Sequence, residues 1–257
     1  MNRIDSLFSA RRDGIMSIYF CAGHPDAGST LATIKALEDN GIDMVEVGIP
    51  FSDPLADGPV IQDAATKALR NGMSLKMLFS QLADVRKSVS IPLALMGYLN
   101  PIMHYGFERF CADCSRCGID GMIVPDMPFD DYMNLYKDTA ERYGIKVIML
   151  ITPETSDERI RLIDDNTDGF IYMVSSASTT GAQKSFDDSK VNYFRRIASM
   201  NLRNPRMIGF GISNRQTLES SMANASGVII GSRFVTLLDE THDAVKAITE
   251  LKRILAE

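Results

Sequence analysis

Eight short apolar runs recur along the chain, at 17–22, 43–49, 92–96, 121–124, 146–151, 169–174, 206–210 and 227–230, with helix-patterned stretches between them. Each run is bounded by glycine, proline or polar turn residues, which marks strands. They are apolar nearly throughout, as strands covered on both faces must be. Regular strand–helix repetition predicts a parallel sheet, and eight such units close into a (β/α)8, or TIM, barrel. Predicted helices cover 27–40, 59–70, 75–88, 107–117, 130–143, 157–165, 190–200, 215–223 and 242–255, with a short extra helix at 4–11 ahead of the first strand. An open doubly wound sheet is the other architecture such a repeat allows. Against it, the first βα turn, Ala22-Gly23-His24-Pro25-Asp26-Ala27-Gly28, lacks the G-x-G-x-x-G dinucleotide pattern. No linker or composition break divides the 257 residues, so one barrel domain over 1–257 is expected.

A net charge of −6 disfavours nucleic acid or an anionic membrane as the main partner, because both require a basic face. No run of eighteen apolar residues is present to span a bilayer, and the first fourteen residues carry no apolar signal core, so a cytoplasmic location is expected. Cys111, Cys114 and Cys117 have C-x-x-C-x-x-C spacing, but the fourth ligand of an iron–sulfur run is missing. With Phe107 and Phe110 they form one stripe at helical spacing, which reads as buried thiols. His24, His104 and His242 show no metal-ligand spacing, and no metal site is expected.

The chemistry concentrates at 43–61. In the strand 43–49, Met44, Glu46 and Gly48 share one face, and Glu46 is the lone charge of its apolar core run. A buried carboxylate must be paired, desolvated or reactive. The following loop holds Asp53, Asp57, Gly58 and three prolines, Pro50, Pro54 and Pro59, which stiffen it. Two readings stand here: an acid/base pair of Glu46 and Asp57, or a Glu46 neutralised by a lysine with Asp57 capping the helix that starts near Pro59.

A barrel places reactive groups at the C-terminal ends of its strands and phosphate at the loops after strands seven and eight. Gly209-Phe210-Gly211-Ile212-Ser213 and Ile230-Gly231-Ser232-Arg233 lie there, each turn leading toward a helix N-terminus whose free N–H groups favour an anion. Thr180-Gly181, after strand six, could supply a third wall. Tyr19, Tyr98 and Tyr172 fall near strand ends, as core packing or as walls of an aromatic pocket. Asp126 follows strand four, where it could orient a loop.

The string Val45-Glu46-Val47-Gly48-Ile49-Pro50-Phe51-Ser52-Asp53-Pro54-Leu55-Ala56-Asp57-Gly58-Pro59 resembles the signature of tryptophan synthase alpha chains. A-G-H-P, L-M-G-Y-L-N-P, V-P-D-M-P, T-G-A, G-F-G-I-S and G-S extend the likeness over essentially the whole length. The resemblance implies a (β/α)8 barrel lyase that cleaves indole-3-glycerol phosphate to indole and glyceraldehyde 3-phosphate without a cofactor of its own. It implies that Asp57 accepts a hydrogen bond from the indole N–H, and that Glu46 takes the glycerol hydroxyl proton and can first deliver the ring proton. It further implies Tyr172, Tyr19, Tyr98, Leu95 and Thr180 as substrate contacts, and Gly181, Gly211, Gly231 and Ser232 as the phosphate site. A beta chain that holds pyridoxal phosphate is the implied partner in an α2β2 heterotetramer, with Asp53 and Pro54 near the contact. One region departs from the pattern: the loop after strand six has Ser176 where an arginine is usual and Ser178 in place of a glycine. A different phosphosugar enzyme on the same barrel, or a catalytically silent partner of a beta chain, are the competing functions.

Overall fold

The computed structural model describes residues 2–175 and 186–257. Among these residues, nine parallel strands form one sheet: β1 (Ile15–Cys21), β2 (Met44–Gly48), β3 (Leu93–Met96), β4 (Gly121–Ile123), β5 (Lys146–Ile148), β6 (Leu150–Ile151), β7 (Ile171–Val174), β8 (Arg206–Gly209) and β9 (Gly227–Ile230). Their order around the sheet is β5-β4-β3-β2-β1-β9-β8-β7-β6. The two ends of that order, β5 and β6, are halves of the single predicted run 146–151, parted at Met149. The Met149 carbonyl accepts from the Tyr172 N–H of β7. The chain itself therefore joins the sheet's ends, and the ring is the expected eight-unit barrel with its fifth strand split.

The helices are α1 (Arg3–Ala10), α2 (Thr30–Asp39), α3 (Pro59–Arg70), α4 (Leu75–Leu82), α5 (Leu99–Tyr105), α6 (Phe107–Cys117), α7 (Phe129–Asp131), α8 (Lys137–Arg142), α9 (Asp157–Asn166), α10 (Asp188–Ser199), α11 (Arg215–Met222), α12 (Ser232–Thr241) and α13 (Ala244–Ala256). Two of them stand where loops were expected. In α5, Pro101 occupies the third position, inside the first turn, where its missing N–H has no helical partner to lose. Helix α12 begins directly at the glycine turn after β9, so its start carries no separate loop signal. The predicted helix 75–88 stops at Leu82 and continues as a 3-10 turn at Val85–Lys87, and a π-helical turn, Tyr132–Tyr136, separates α7 from α8.

Helix α6 buries the predicted stripe Phe107, Phe110, Cys111, Cys114 and Cys117, and all four cysteines are free. Burial pushes the Cys111 thiol up to about 12, so it remains a packed thiol. Among the described residues, no group of three or more His, Cys, Asp or Glu could hold a metal ion, and no helix is long and apolar enough to cross a membrane.

Helix α1 closes the N-terminal end of the barrel. Its Ile4 and Phe8 are buried, the Phe8 ring lies 6.0 Å from Phe170, and Gly121 and Gly169 leave room for Ile4. Below β3 and β4, Asp120 accepts from the N–H groups of Arg3 (3.2 Å) and Leu93 (3.0 Å) and from Arg86 Nη2 (2.6 Å). Arg86 also donates to the carbonyls of Gly118 and Ile91. Removing one member of a buried ion pair strands the other charge, so Arg86→Ala is expected to lower stability by about 3 kcal/mol. Urea unfolding measures it; an unchanged midpoint would mean that water replaces the guanidinium without cost.

Candidate active site

Residues level with one another on parallel strands share a face, so Tyr19 of β1, Glu46 of β2 and Ala94 of β3 form one row inside the barrel. Glu46 is completely buried. Among the described residues, neither a lysine nor any other cation is paired with it, which speaks against the structural alternative raised by the sequence. Ser17 Oγ donates to its Oε1 at 3.4 Å, and its Oε2 has no hydrogen-bond partner among the described residues. Burial pushes the Glu46 carboxyl up to about 8, against a smaller opposing effect of the Ser17 hydrogen bond. At neutral pH the group is mostly protonated.

Asp57 is held by the loop rather than by a strand. Its N–H donates to the Pro54 carbonyl (3.0 Å) and its own carbonyl accepts from Gln62 Nε2 (2.8 Å), which locks the turn onto the start of α3. The Tyr98 hydroxyl donates to Asp57 Oδ2 at 2.8 Å while accepting from the Ala56 N–H at 3.0 Å. The Tyr98 ring is itself steadied by Phe51, 5.5 Å away. The N-cap of α3 is Gly58, without a side-chain cap, so Asp57 is not the capping residue that the alternative required. Burial pushes Asp57 up to about 6, and the Tyr98 bond pulls the other way. The two carboxyls thus prefer opposite protonation states near pH 7, and the deeper of them keeps its proton.

Two tyrosines lean across glycines of neighbouring strands. A Cβ on Gly48 would lie 2.2 Å from the Tyr19 hydroxyl oxygen, and one on Gly209 would lie 2.2 Å from that of Tyr172. Only glycine lets these rings lie flat against β2 and β8. Burial first, then the charges of Glu46 and Asp57, raise the Tyr172 phenol well above its ordinary value, and the same two carboxyls act on Tyr19. All four groups therefore meet in one region. Gly209→Ala is expected to cost about 1–3 kcal/mol by overpacking. Thermal unfolding checks this, and an unchanged transition would mean that the Tyr172 ring yields freely.

Above this row opens a cavity. Tyr19, Asp57, Met96, Tyr172 and Phe210 line it, with Ile61, Ile212 and Ile229 adding apolar surface. Gly211, Gly231, Ser232 and Arg233 line it too. Phe210 and Gly211 both have positive φ, 68° and 79°. This conformation is costly for phenylalanine. Ser175 Oγ donates to the Phe210 carbonyl at 2.9 Å, and the Phe210 ring packs 5.9 Å from Tyr172.

The two helix N-termini beyond the glycine turns are not equivalent. Asn214 and Thr217 cap α11 in a reciprocal box, so that terminus already spends its donors on its own side chains. Among the described residues no side chain caps α12, whose N-cap is Gly231 and whose start lines the cavity. Of the two turns expected to face an anion, the one at Gly231 thus leaves its helix terminus uncapped, and Gly211 lines the same cavity.

Of the predicted site residues, Asp57, Tyr19, Tyr172, Gly211, Gly231 and Ser232 line the cavity, Tyr98 stands behind Asp57, and Glu46 is buried beside Tyr19. Leu95 is displaced: it pairs with Val47 and Met122 on the opposite face of β3, and the next residue, Met96, supplies the wall instead. Strand alternation decides this, since a one-residue shift exchanges faces. Thr180 and Gly181, with Ser176 and Ser178, lie outside the described residues. Sequence reasoning assigned no role to Ser17, Ile61, Met96, Phe210, Ile212, Ile229 or Arg233. Alternation from Glu46 could have suggested Met96; a lone serine in a strand carries no signal.

The family model described as tryptophan synthase alpha chain matches residues 8–257. The chain is 65% identical over 256 residues to the tryptophan synthase alpha chain of Phocaeicola vulgatus, covering 99% of each. It is 61% identical over 257 residues to that of Parabacteroides distasonis, covering 100% of each. Among solved structures it is similar to the tryptophan synthase alpha chain of Legionella pneumophila (TM-score 0.88, 30% identity, 99% of this chain and 96% of that one). It is likewise similar to the tryptophan synthase alpha-subunit of Pyrococcus furiosus (TM-score 0.87, 36% identity, 96% and 99%).

Proposed function

We propose, since the chain belongs to the tryptophan synthase alpha chain family, that Glu46 and Asp57 are the proton-transfer pair with which it cleaves indole-3-glycerol phosphate to indole and glyceraldehyde 3-phosphate in tryptophan biosynthesis. The observation that carries the assignment is the cavity itself, which is lined both by Asp57 and by the N-terminus of α12, with Gly231 and Ser232. An aromatic head and a phosphate tail fit that lining. The phosphate takes the N–H groups and the positive end of the helix dipole, and the indole lies among Tyr19, Met96, Tyr172 and Phe210.

Protonated Glu46 delivers its proton to C3 of the indole ring. Ionised Asp57 accepts the indole N–H hydrogen bond and balances the positive charge that develops on the ring. The Glu46 carboxylate then takes the proton of the adjacent glycerol hydroxyl as that carbon becomes a carbonyl. The bond to C3 breaks, its electron pair restores the indole ring, and Glu46 ends as it began. Thr180 and Gly181 complete the substrate and phosphate contacts in this reading.

The step uses no cofactor of this chain; pyridoxal phosphate belongs to the beta chain, with which an α2β2 heterotetramer forms in the cytoplasm. Support for the docking face comes from the Asp53 loop, where Leu55 is 88% exposed, and from the adjoining groove of Pro50, Phe51, Leu69, Met73 and Pro101. The purified chain should release indole from indole-3-glycerol phosphate slowly alone and much faster with a cognate beta chain. A folded protein that releases none in either condition would overturn the assignment.

A further inference from the structure

Ser17 is fully buried in β1, on the inner face of the barrel and level with Met44 and Ile229. A hydroxyl among such neighbours needs a partner, and the Glu46 carboxyl is within its reach. Glu46 is level with Tyr19, two residues further along β1, so Ser17 sits about 6.6 Å closer to the closed, N-terminal end of the barrel. Its hydrogen bond therefore draws Oε1 toward the floor. Oε2 is left buried and without a partner among the described residues. A neutral carboxyl can carry its proton on either oxygen, and an oxygen already accepting a donated hydrogen bond is the poorer place for it.

We propose that Ser17 is a positioning residue for Glu46: by donating to Oε1 it keeps the transferable proton on Oε2, the oxygen left for substrate. This rests on the assignment of Glu46 as the proton-transfer group. In the cleavage step the Oε2 proton passes to ring C3 and the glycerol hydroxyl proton returns to Oε2, while Oε1 remains bonded to Ser17 throughout. Without that bond the proton is shared between two oxygens, one of them turned from the reaction. Burial already keeps the Tyr19 and Tyr172 phenols neutral through the working range, and the Glu46 charge in turn raises them.

The test compares full-length wild type with Ser17→Ala, Ser17→Thr, which keeps the hydroxyl, and Ser17→Cys, a weaker donor of similar shape. Two readouts are taken: kinetics on indole-3-glycerol phosphate across pH, and the infrared carbonyl band of protonated Glu46, assigned by its loss in Glu46→Gln. Ser17→Ala should lower kcat about tenfold, the rate equivalent of one hydrogen bond to an ionisable carboxyl, with KM nearly unchanged. Its alkaline limb should move to higher pH, because the lost donor favoured the charged form. The carbonyl band should move to higher wavenumber, with Ser17→Thr or Ser17→Cys returning toward wild type. An unmoved band, or a loss confined to KM, would overturn the proposal. The infrared arm needs no substrate, so it decides the Ser17 contact even if no indole is released and the functional assignment fails.

Discussion

Glu46→Gln is expected to lower kcat for indole release by about 10²–10⁴-fold, the usual contribution of a positioned general acid–base, while the chain stays folded and still binds a beta chain. Glutamine has the shape of the neutral carboxyl and can accept from Ser17 at its carbonyl, but it has no transferable proton. Appreciable residual turnover would remove Glu46 from the proton path. A stability measurement makes the same substitution informative a second time. The folded-state value of Glu46, about 8, lies above its ordinary 4.5, so the native state binds the proton more tightly than the unfolded chain does. Wild-type stability should therefore fall as pH rises from about 4.5 to 8, and the glutamine variant should lack that loss. Above pH 8 the variant should be more stable by roughly 3–5 kcal/mol. Urea titrations at a series of pH values decide it; parallel curves for the two proteins would show that Glu46 is not held neutral by burial.

Asp57→Asn should give the second largest loss, about 10²–10³-fold in kcat, the scale for removing one group aimed at developing charge. Its effect on pH dependence is distinct from that of Glu46. The proposed reaction requires Asp57 ionised, so wild-type activity is expected to fall on the acid side near its value of about 6. It requires Glu46 protonated, so activity falls on the alkaline side near about 8. The expected profile is a bell between these limits. Asparagine at position 57 should leave a low rate without the acid limb, because nothing there titrates. Retention of the acid limb in the variant would assign it to another group and disconnect Asp57 from the ring charge. Indole release measured from pH 5 to 9 separates these outcomes.

How much was legible in the chain follows from which forces are local. The eight strand runs and the helix bearing Cys111, Cys114 and Cys117 were readable because continuous apolar runs and three-to-four spacing each report one kind of burial. The loop from Pro50 to Pro59 announced its stiffness through proline and glycine, whose backbone limits are intrinsic. The helix start expected at the Gly231 turn is where α12 begins, but the extent of α12 was not readable, since only the later helix at 242–255 was expected there. Leu95 and Met96 are chemically interchangeable as pocket walls, and the ladder register of β3 against β2, not residue type, decides which faces the cavity. The inequality of the two phosphate-side helix termini depends on whether Asn214 folds back onto Thr217, a competition between alternative partners for the same N–H groups.

The sequence by itself determined the strand–helix alternation, the stiff loop and the placement of two carboxylates at the mouth of the second unit, because propensity and periodicity act over a few residues. Only the tertiary structure decided what those carboxylates are. Desolvation of Glu46 depends on the closed barrel around it, its hydrogen bond comes from Ser17 twenty-nine positions away, and Asp57 takes its hydrogen bond from Tyr98 forty-one positions away. Solvent exclusion and hydrogen-bond partnership are properties of the closed ring and exist only once distant strands have met.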